Sequence, residues 1–237
     1  MDIRGASALV TGAGRGIGRA VALGLGHAGA HVTAVSRTAR EIDAVVGEIQ
    51  SAGGKARAFA GDLTSPGMAD RAVAAAVTAH GGLQVLVNNA GVGAIGNLAE
   101  TTDETWDRII ATNLSAVFRL TRAALPHLKE KGGHVFMISS LAGQNPIAGM
   151  AAYCASKAAL DHLAACLMLE VRQQGVKVTT IAPGSVDTTF GGAPRGDASW
   201  MLTAEDVAQE ILDLLGTRDG AHVSRVEMRP ARPQKRV

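Results

Sequence analysis

The side chains of this 237-residue chain best suited to chemistry are Ser140, Tyr153 and Lys157. Tyr153 and Lys157 stand four positions apart in a stretch of helical periodicity, so both project from one helix face about a turn apart. A phenol ionises at about pH 10, too high for an efficient acid–base group at neutral pH. An ammonium beside it favours the phenolate and brings that value down. Ser140 ends a predicted strand, at the carboxyl edge where open α/β sheets place their ligands. Its hydroxyl can hydrogen-bond a carbonyl oxygen while Tyr153 delivers a proton to the same atom. Tyr and Lys at this spacing are common on exposed helices. Tyr153 is set apart as the only tyrosine of the chain, in a run of small neighbours that includes Ala151, Ala152, Cys154, Ala155 and Ser156.

A glycine-rich turn forms the second half of the pattern. The first predicted strand, 7–10, runs into Thr11-Gly12-Ala13-Gly14-Arg15-Gly16-Ile17-Gly18 and then a helix. Gly12, Gly16 and Gly18 are spaced G-x-x-x-G-x-G, unlike the G-x-G-x-x-G of the long dehydrogenases. The physics is shared: glycine permits the turn and lets backbone approach a pyrophosphate, which a helix N-terminus attracts. A plain strand–helix turn could use the same residues, but this one falls where a dinucleotide would lie. Some twenty residues on, folds that prefer NAD often place a carboxylate for the ribose 2′-hydroxyl. Here the second strand ends Val35-Ser36-Arg37-Thr38. Ser36 and Arg37 can hold a 2′-phosphate with no carboxylate to repel it, and Arg15 adds a second cation. The alternative is that Arg37 and Arg40 merely face solvent at a helix start. The expected cofactor is NADP(H) in preference to NAD(H).

The apolar pattern describes the scaffold these residues need. Runs at 7–10, 31–36, 56–60, 84–87, 134–139, 176–181 and 223–228 read as strands, most of them apolar at successive positions. That pattern suits strands covered on both faces. Helical windows lie between them at 16–28, 38–51, 66–80, 102–131, 150–174 and 203–215. Thr203 with Glu205 and Asp206 signals a helix start, as does Pro66 at a first turn. The alternation predicts an α/β fold: a doubly wound parallel sheet of about seven strands with helices on both faces. With no linker, repeat or low-complexity segment, residues 1–237 read as one domain.

Composition narrows the classes. The 23 Lys and Arg nearly balance 21 Asp and Glu, which argues against a dedicated nucleic-acid binder. Only the end is lopsided, where Arg225, Arg229, Arg232, Lys235 and Arg236 face a lone Glu227, and it reads as a solvated tail. The 29 glycines against four Phe, two Trp and one Tyr point to many tight turns. Cys154 and Cys166 fall in one helix about 18 Å apart, beyond disulfide reach. The start, Met1-Asp2-Ile3-Arg4-Gly5, has no apolar run of a secretory signal. Residues 80–99, with Gln84, Asn88 and Asn89, would span a membrane poorly. The expectation is a soluble cytoplasmic protein without a metal site.

The glycine turn, Gly61-Asp62-Leu63, Asn88-Asn89-Ala90-Gly91, Asn113, Ser140, Tyr153 through Lys157, and Pro183-Gly184 with Thr188 together resemble the short-chain dehydrogenase/reductase family, over about 3–228. On residue type alone, Asn88 to Gly91 suits a strand-ending turn and Asn113 a polar break within a helix. The resemblance implies a Rossmann fold and a tetrad. In it Asn113 anchors a relay water, Ser140 positions substrate, Tyr153 is the acid/base, and Lys157 holds the ribose and tunes Tyr153. It implies cofactor contacts at Gly12, Arg15, Gly16, Ile17, Gly18, Ser36 and Arg37, with Asp62 on the adenine and Leu63 beside it. It places Asn89, Ala90 and Gly91 along the cofactor, Val186 and Thr188 near its carboxamide, and Pro183 and Gly184 next to them.

The resemblance is nearest to the 3-oxoacyl-carrier-protein reductase-like group, and it implies a homodimer or homotetramer built on helices 102–131 and 150–174. Two departures stand out. The chain ends in a basic rather than a glycine-rich tail, and the expected substrate loop, 189–200, is short; its Arg195 could contact an anionic handle, though a loop arginine is more often only solvated. The implied activity is reduction of a ketone or aldehyde, 3-oxoacyl compounds included, or the reverse oxidation. The alternative is an NADP-binding regulatory or scaffold protein without turnover, against which the complete tetrad argues. An epimerase or dehydratase of the same fold is disfavoured, because too little chain follows Gly184 for their larger substrate domain.

Overall fold

The structure is a computed structural model and describes residues 1–190 and 197–232; Arg195, Lys235 and Arg236 lie outside the described residues. The strands are β1 (Ser7–Thr11), β2 (His31–Ser36), β3 (Lys55–Ala60), β4 (Val85–Asn88), β5 (His134–Ile138), β6 (Lys177–Pro183) and β7 (Arg225–Met228). The helices are α1 (Gly16–His27), α2 (Ala39–Ser51), α3 (Met68–His80), α4 (Asp103–Ile110), α5 (Ala116–Lys131), α6 (Ala151–Val171) and α7 (Ala204–Leu215). All strands pair in parallel in the order β3-β2-β1-β4-β5-β6-β7.

Alternate residues of each strand feed two separate cores. Ala8, Val10, Phe136 and Ile138 pack with Val21, Leu25, Ile42 and Ile211, from α1, α2 and α7. Leu9, Val135 and Met137 pack with Val73, Leu120 and Leu160, from α3, α5 and α6. Two apolar faces explain why the strands read as unbroken apolar runs. Fully buried side chains such as Leu9, Leu86 and Phe136 each contribute roughly 1.5–3 kcal/mol. Leu9 sits opposite Thr33 on one side and Leu86 on the other, so the sheet grows both ways from β1. A crevice therefore opens where the carboxyl ends of β1 and β4 diverge, the usual ligand position in such sheets. Among the described residues, no helix is long and apolar enough to cross a membrane.

Most element ends fall within two residues of expectation, and the exceptions have physical causes. The 102–131 window is two helices, α4 and α5, joined by a π turn at Ala111–Ser115. There Asn113 hydrogen-bonds tertiary partners, and the helical ladder widens to let it. Pro66 is not in the first turn of α3: Gly67, at φ +70°, starts the helix, and Pro66 lies in the turn before it. The 150–174 window ends as an α-helix at Val171, followed by a 3₁₀ turn that Gly175 closes at φ +75°. β7 starts at Arg225 rather than at Val223, whose carbonyl accepts the Thr179 hydroxyl at 2.6 Å. Nor is the basic end simply solvated. Arg225 pairs with Asp161 at 2.9 Å and Arg229 with Glu227 at 2.7 Å. The Thr203 signal holds, with Thr203 and Asp206 capping α7 reciprocally at 3.1 and 2.7 Å.

Candidate active site

α6 turns Tyr153, Ser156, Lys157 and Leu160 inward. Tyr153 is 9% and Lys157 5% exposed. The Lys157 ammonium lies 5.7 Å from the centroid of the Tyr153 ring and donates to the Ile138 carbonyl at 2.7 Å. Ser140 follows β5 and caps a 3₁₀ turn, Leu141–Gly143, its hydroxyl oxygen accepting from the Ala142 N–H at 3.1 Å. Burial pushes the Tyr153 phenol up, and a hydrogen bond with Ser140 pulls it partly back. Burial also pulls Lys157 down to about 8, opposed by the Asp161 carboxylate. The expected lowering of the phenol by its neighbouring lysine is not seen: the ammonium serves the Ile138 carbonyl and the phenol is deeply buried.

Asn113 is fully buried in the π turn. Its side chain accepts from the Val92 N–H at 2.8 Å and donates to the Val92 carbonyl at 2.9 Å and to Ser156 Oγ at 3.0 Å. The Ser156 hydroxyl in turn donates to the Tyr153 carbonyl at 2.7 Å. Asn113 therefore ties the loop after β4 to the helix of Tyr153 and Lys157, and the polar break is the means by which it does so.

The glycine turn is shaped by what a side chain would strike. Gly12 and Gly16 have φ of +63° and +52°. A Cβ on Gly18 would overlap the Gly12 carbonyl and the Asn89 amide. α1 begins without a capping side chain or an acidic residue in its first turn, which leaves its amides free for an anion. Asn89 Nδ2 donates to the Thr11 carbonyl at 2.8 Å, and the N–H groups of Asn89 and Ala90 donate to Thr11 Oγ1 at 2.9 Å. Asn88 points inward, donating to Thr121 at 3.0 Å. A Cβ on Gly91 would stand 3.4 Å from Asn113 Oδ1 and 3.7 Å from Lys157 Nζ, so the wall runs close past the lysine. Bare backbone, free amides and a wall leading to a buried cation suit a dinucleotide.

At the outer end of the crevice, Arg15 and Arg37 are exposed and make no hydrogen bond or ion pair with another described residue. The Ser36 hydroxyl accepts from the Thr38 N–H at 3.2 Å. Asp62 accepts from the N–H and hydroxyl of Thr64, which hold its carboxyl below the ordinary range, with a smaller contribution from Arg37. Ile17 and Leu63 pack their side chains partly on the cores, so the backbone is what they can offer a ligand. One expectation fails here. Glu41 is carried back over the turn by the start of α2. A Cβ on Gly14 would meet its carboxylate at 2.7 Å and Ser36 Oγ at 3.4 Å. A carboxylate is present after all, supplied by a helix rather than by the strand end.

Beyond Pro183, at the end of β6, the Gly184 N–H donates to the Met228 carbonyl at 2.8 Å. Val186 is buried and bridges to Leu202. The Thr188 methyl lies 3.2 Å from where a Gly16 side chain would start, which closes the crevice over the turn. Thr188 Oγ1 accepts from the Phe190 N–H at 3.3 Å. Phe190, not singled out from sequence, tilts its ring 51° against Tyr153 at 5.6 Å and lies 3.2 Å from a Cβ on Gly93. Its signal was available as a large aromatic in a loop of small residues. Positions 191–196 of the expected substrate loop lie outside the described residues.

The chain is similar to known proteins. Residues 6–197 match the family described as short chain dehydrogenase. The chain is 40% identical over 220 residues to 2,5-dichloro-2,5-cyclohexadiene-1,4-diol dehydrogenase LinX of Sphingobium indicum, covering 92% of this chain and 88% of that one. It is 37% identical to dehydrogenase/reductase SDR family member 4 of Oryctolagus cuniculus, over 86% of this chain and 75% of the other. A crystal structure of a metagenomic short-chain oxidoreductase in complex with NADP aligns with a TM-score of 0.87 at 39% identity, covering 98% of this chain and 100% of that one.

Proposed function

The chain belongs to the short-chain dehydrogenase/reductase family, and we propose that it uses NADP(H) to reduce a ketone or aldehyde to an alcohol, or to run the reverse oxidation. The observation that carries this reading is the meeting of Ser140, Tyr153, Lys157 and Asn113 at the end of the glycine-lined crevice. A bound nicotinamide would supply or accept the hydride. The free amides of α1, with Gly12, Gly16 and Gly18, would hold its pyrophosphate. Arg15, Ser36 and Arg37 would meet a 2′-phosphate, and Asp62 the adenine. Asn89 to Gly91, Pro183, Gly184, Val186 and Thr188 would line the rest.

The Ser140 hydroxyl is near enough to the Tyr153 phenol to lower it, and the two hydroxyls would meet one carbonyl oxygen. Burial keeps the phenol protonated at neutral pH, the form that reduction requires, while the Ser140 hydrogen bond eases the proton's departure. Lys157 presents its charge beside the ring, where it would meet a ribose hydroxyl, and Asn113 would anchor the relay water. Phe190 excludes water from one side of the phenol. NADP(H) is favoured by the guanidinium groups of Arg15 and Arg37, which have no hydrogen-bond or ion-pair partner among the described residues, and opposed by Glu41. Half-exposed Trp106 on α4 and Phe118 on α5, with the more exposed Leu169 on α6, support assembly into a dimer or tetramer. Small ketones, 3-oxoacyl thioesters and cyclic diols of the kind LinX is named for are the substrates to try first.

The Tyr153→Phe variant provides the test. Fluorescence titration should show NADPH binding unchanged, while reduction of a ketone accepted by the wild type falls by about 10²–10⁴-fold. Retained turnover in the variant overturns the role of Tyr153. Wild-type binding without turnover on any of the three substrate groups favours the scaffold alternative.

A further inference from the structure

α6 carries a third ionisable side chain on the face of Tyr153 and Lys157. Asp161 stands one turn beyond Lys157, with its side chain 12% exposed. Its Oδ2 accepts from Arg225 Nη1 at 2.9 Å, and its Oδ1 is buried without a hydrogen-bond partner among the described residues. Arg225 opens β7, with its Nε 3.5 Å from Glu227. The same carboxylate backs the turn that follows Ser140. A Cβ on Gly143 would lie 2.8 Å from Asp161 Oδ2 and 3.2 Å from the Lys157 carbonyl oxygen. One buried carboxylate therefore touches the catalytic helix, the Ser140 turn and the last strand.

We propose that Asp161, held by Arg225, is a positioning residue for the reaction: it braces the turn that presents Ser140 and sets a counter-charge one helical turn from Lys157. The inference rests on the roles assigned above to Ser140, Tyr153 and Lys157. Lys157 faces few groups able to balance its charge. β5 offers the Ile138 carbonyl, the loop after β4 offers Gly91, and the π turn offers the neutral Asn113 side chain. Its own helix offers the neutral Tyr153 and the anionic Asp161, and β7 adds Arg225 and Glu227 behind Asp161. Asp161 is the anion that opposes burial of the lysine, and Arg225 draws on the same negative charge. Removing the carboxylate and removing the guanidinium should therefore push Lys157 in opposite directions. A mere structural brace would not.

The experiment is an NMR titration of isotope-labelled lysine side chains without cofactor, with Lys157 assigned by its loss in Lys157→Met. The wild-type lysine should titrate at about 8. Asp161→Asn should lower that midpoint by about one pH unit, and Arg225→Gln should raise it. The alkaline limb of NADPH-dependent turnover should move the same way in each variant. Shifts of one sign in both variants, or none in either, overturn the proposal. Should Asp161→Asn fail to fold, an unmoved midpoint in Arg225→Gln overturns it alone. Opposite shifts in a protein without turnover would refute the catalytic reading and leave the electrostatic link standing.

Discussion

At the amino edge of the sheet, His134 is 4% exposed and its Nε2 lies 2.8 Å from Thr179 Oγ1, whose hydroxyl donates onward to the Val223 carbonyl. At the carboxyl edge, Lys157 is as deeply buried, yet among the described residues only one of its three donors has a partner, the Ile138 carbonyl. The amino edge closes several of its polar groups on one another, although the Ser7 hydroxyl is buried there without a hydrogen-bond partner among the described residues. His222 Nε2 sits 2.8 Å from the Val178 carbonyl oxygen, and Gln84 accepts from the Ser7 N–H at 2.8 Å. The carboxyl edge instead keeps the first amides of α1 uncapped and a lysine short of acceptors. Burial holds the sheet together at one end, and at the other it keeps hydrogen-bonding capacity in reserve for a ligand.

The sharpest way to break this contrast is Gly18→Ala. The new methyl overlaps the Gly12 carbonyl and the Asn89 amide, neither of which can withdraw without opening the turn. NADPH affinity should drop by about a hundredfold or more in fluorescence titration. Wild-type affinity in the variant would show that the crevice is not the binding site.

The amino edge answers to pH instead. Burial, helped by His222 and Lys177, drops His134 from its ordinary 6.5 to about 3. The folded protein thus refuses a proton that the unfolded chain accepts below 6.5. Stability from this source is complete above 6.5 and is lost as pH falls toward 3, by up to about 1.4 kcal/mol per pH unit. In urea unfolding between about pH 7 and pH 5, His134→Asn should be less stable at neutral pH and show a shallower acid slope. An unchanged slope would remove His134 from the account.

The smallest effect belongs to the outer crevice. Glu41→Gln should raise the ratio of NADPH to NADH kcat/KM by about three- to tenfold at low ionic strength, and by less in high salt. A ratio that stays put would mean that Glu41 turns away from the bound phosphate.

Local features were legible in the chain and distant ones were not. Tyr153 and Lys157 could be paired from sequence because four positions on a helix fix their neighbourhood. The glycine turn was readable because its glycines meet within one strand–helix connection. Glu41 is not legible at the strand end because it belongs to the following helix, which folds back over the glycine turn. The Asp161–Arg225 pair joins residues 64 positions apart, and no local periodicity reports such a contact. The π turn was hidden for a related reason: Asn113 widens the ladder through bonds to Val92 and Ser156, partners outside its own helix.

The π turn between α4 and α5 restricts the lengths this segment tolerates. An insertion or deletion of one position there rotates everything before it by about 100° against everything after it. Ile109 and Leu120, both now buried, could not then both reach the interior. Descendants of this chain should exchange side chains freely along α4 and α5 but keep the residue count between Ile109 and Leu120, with gaps and additions falling in the connections outside it.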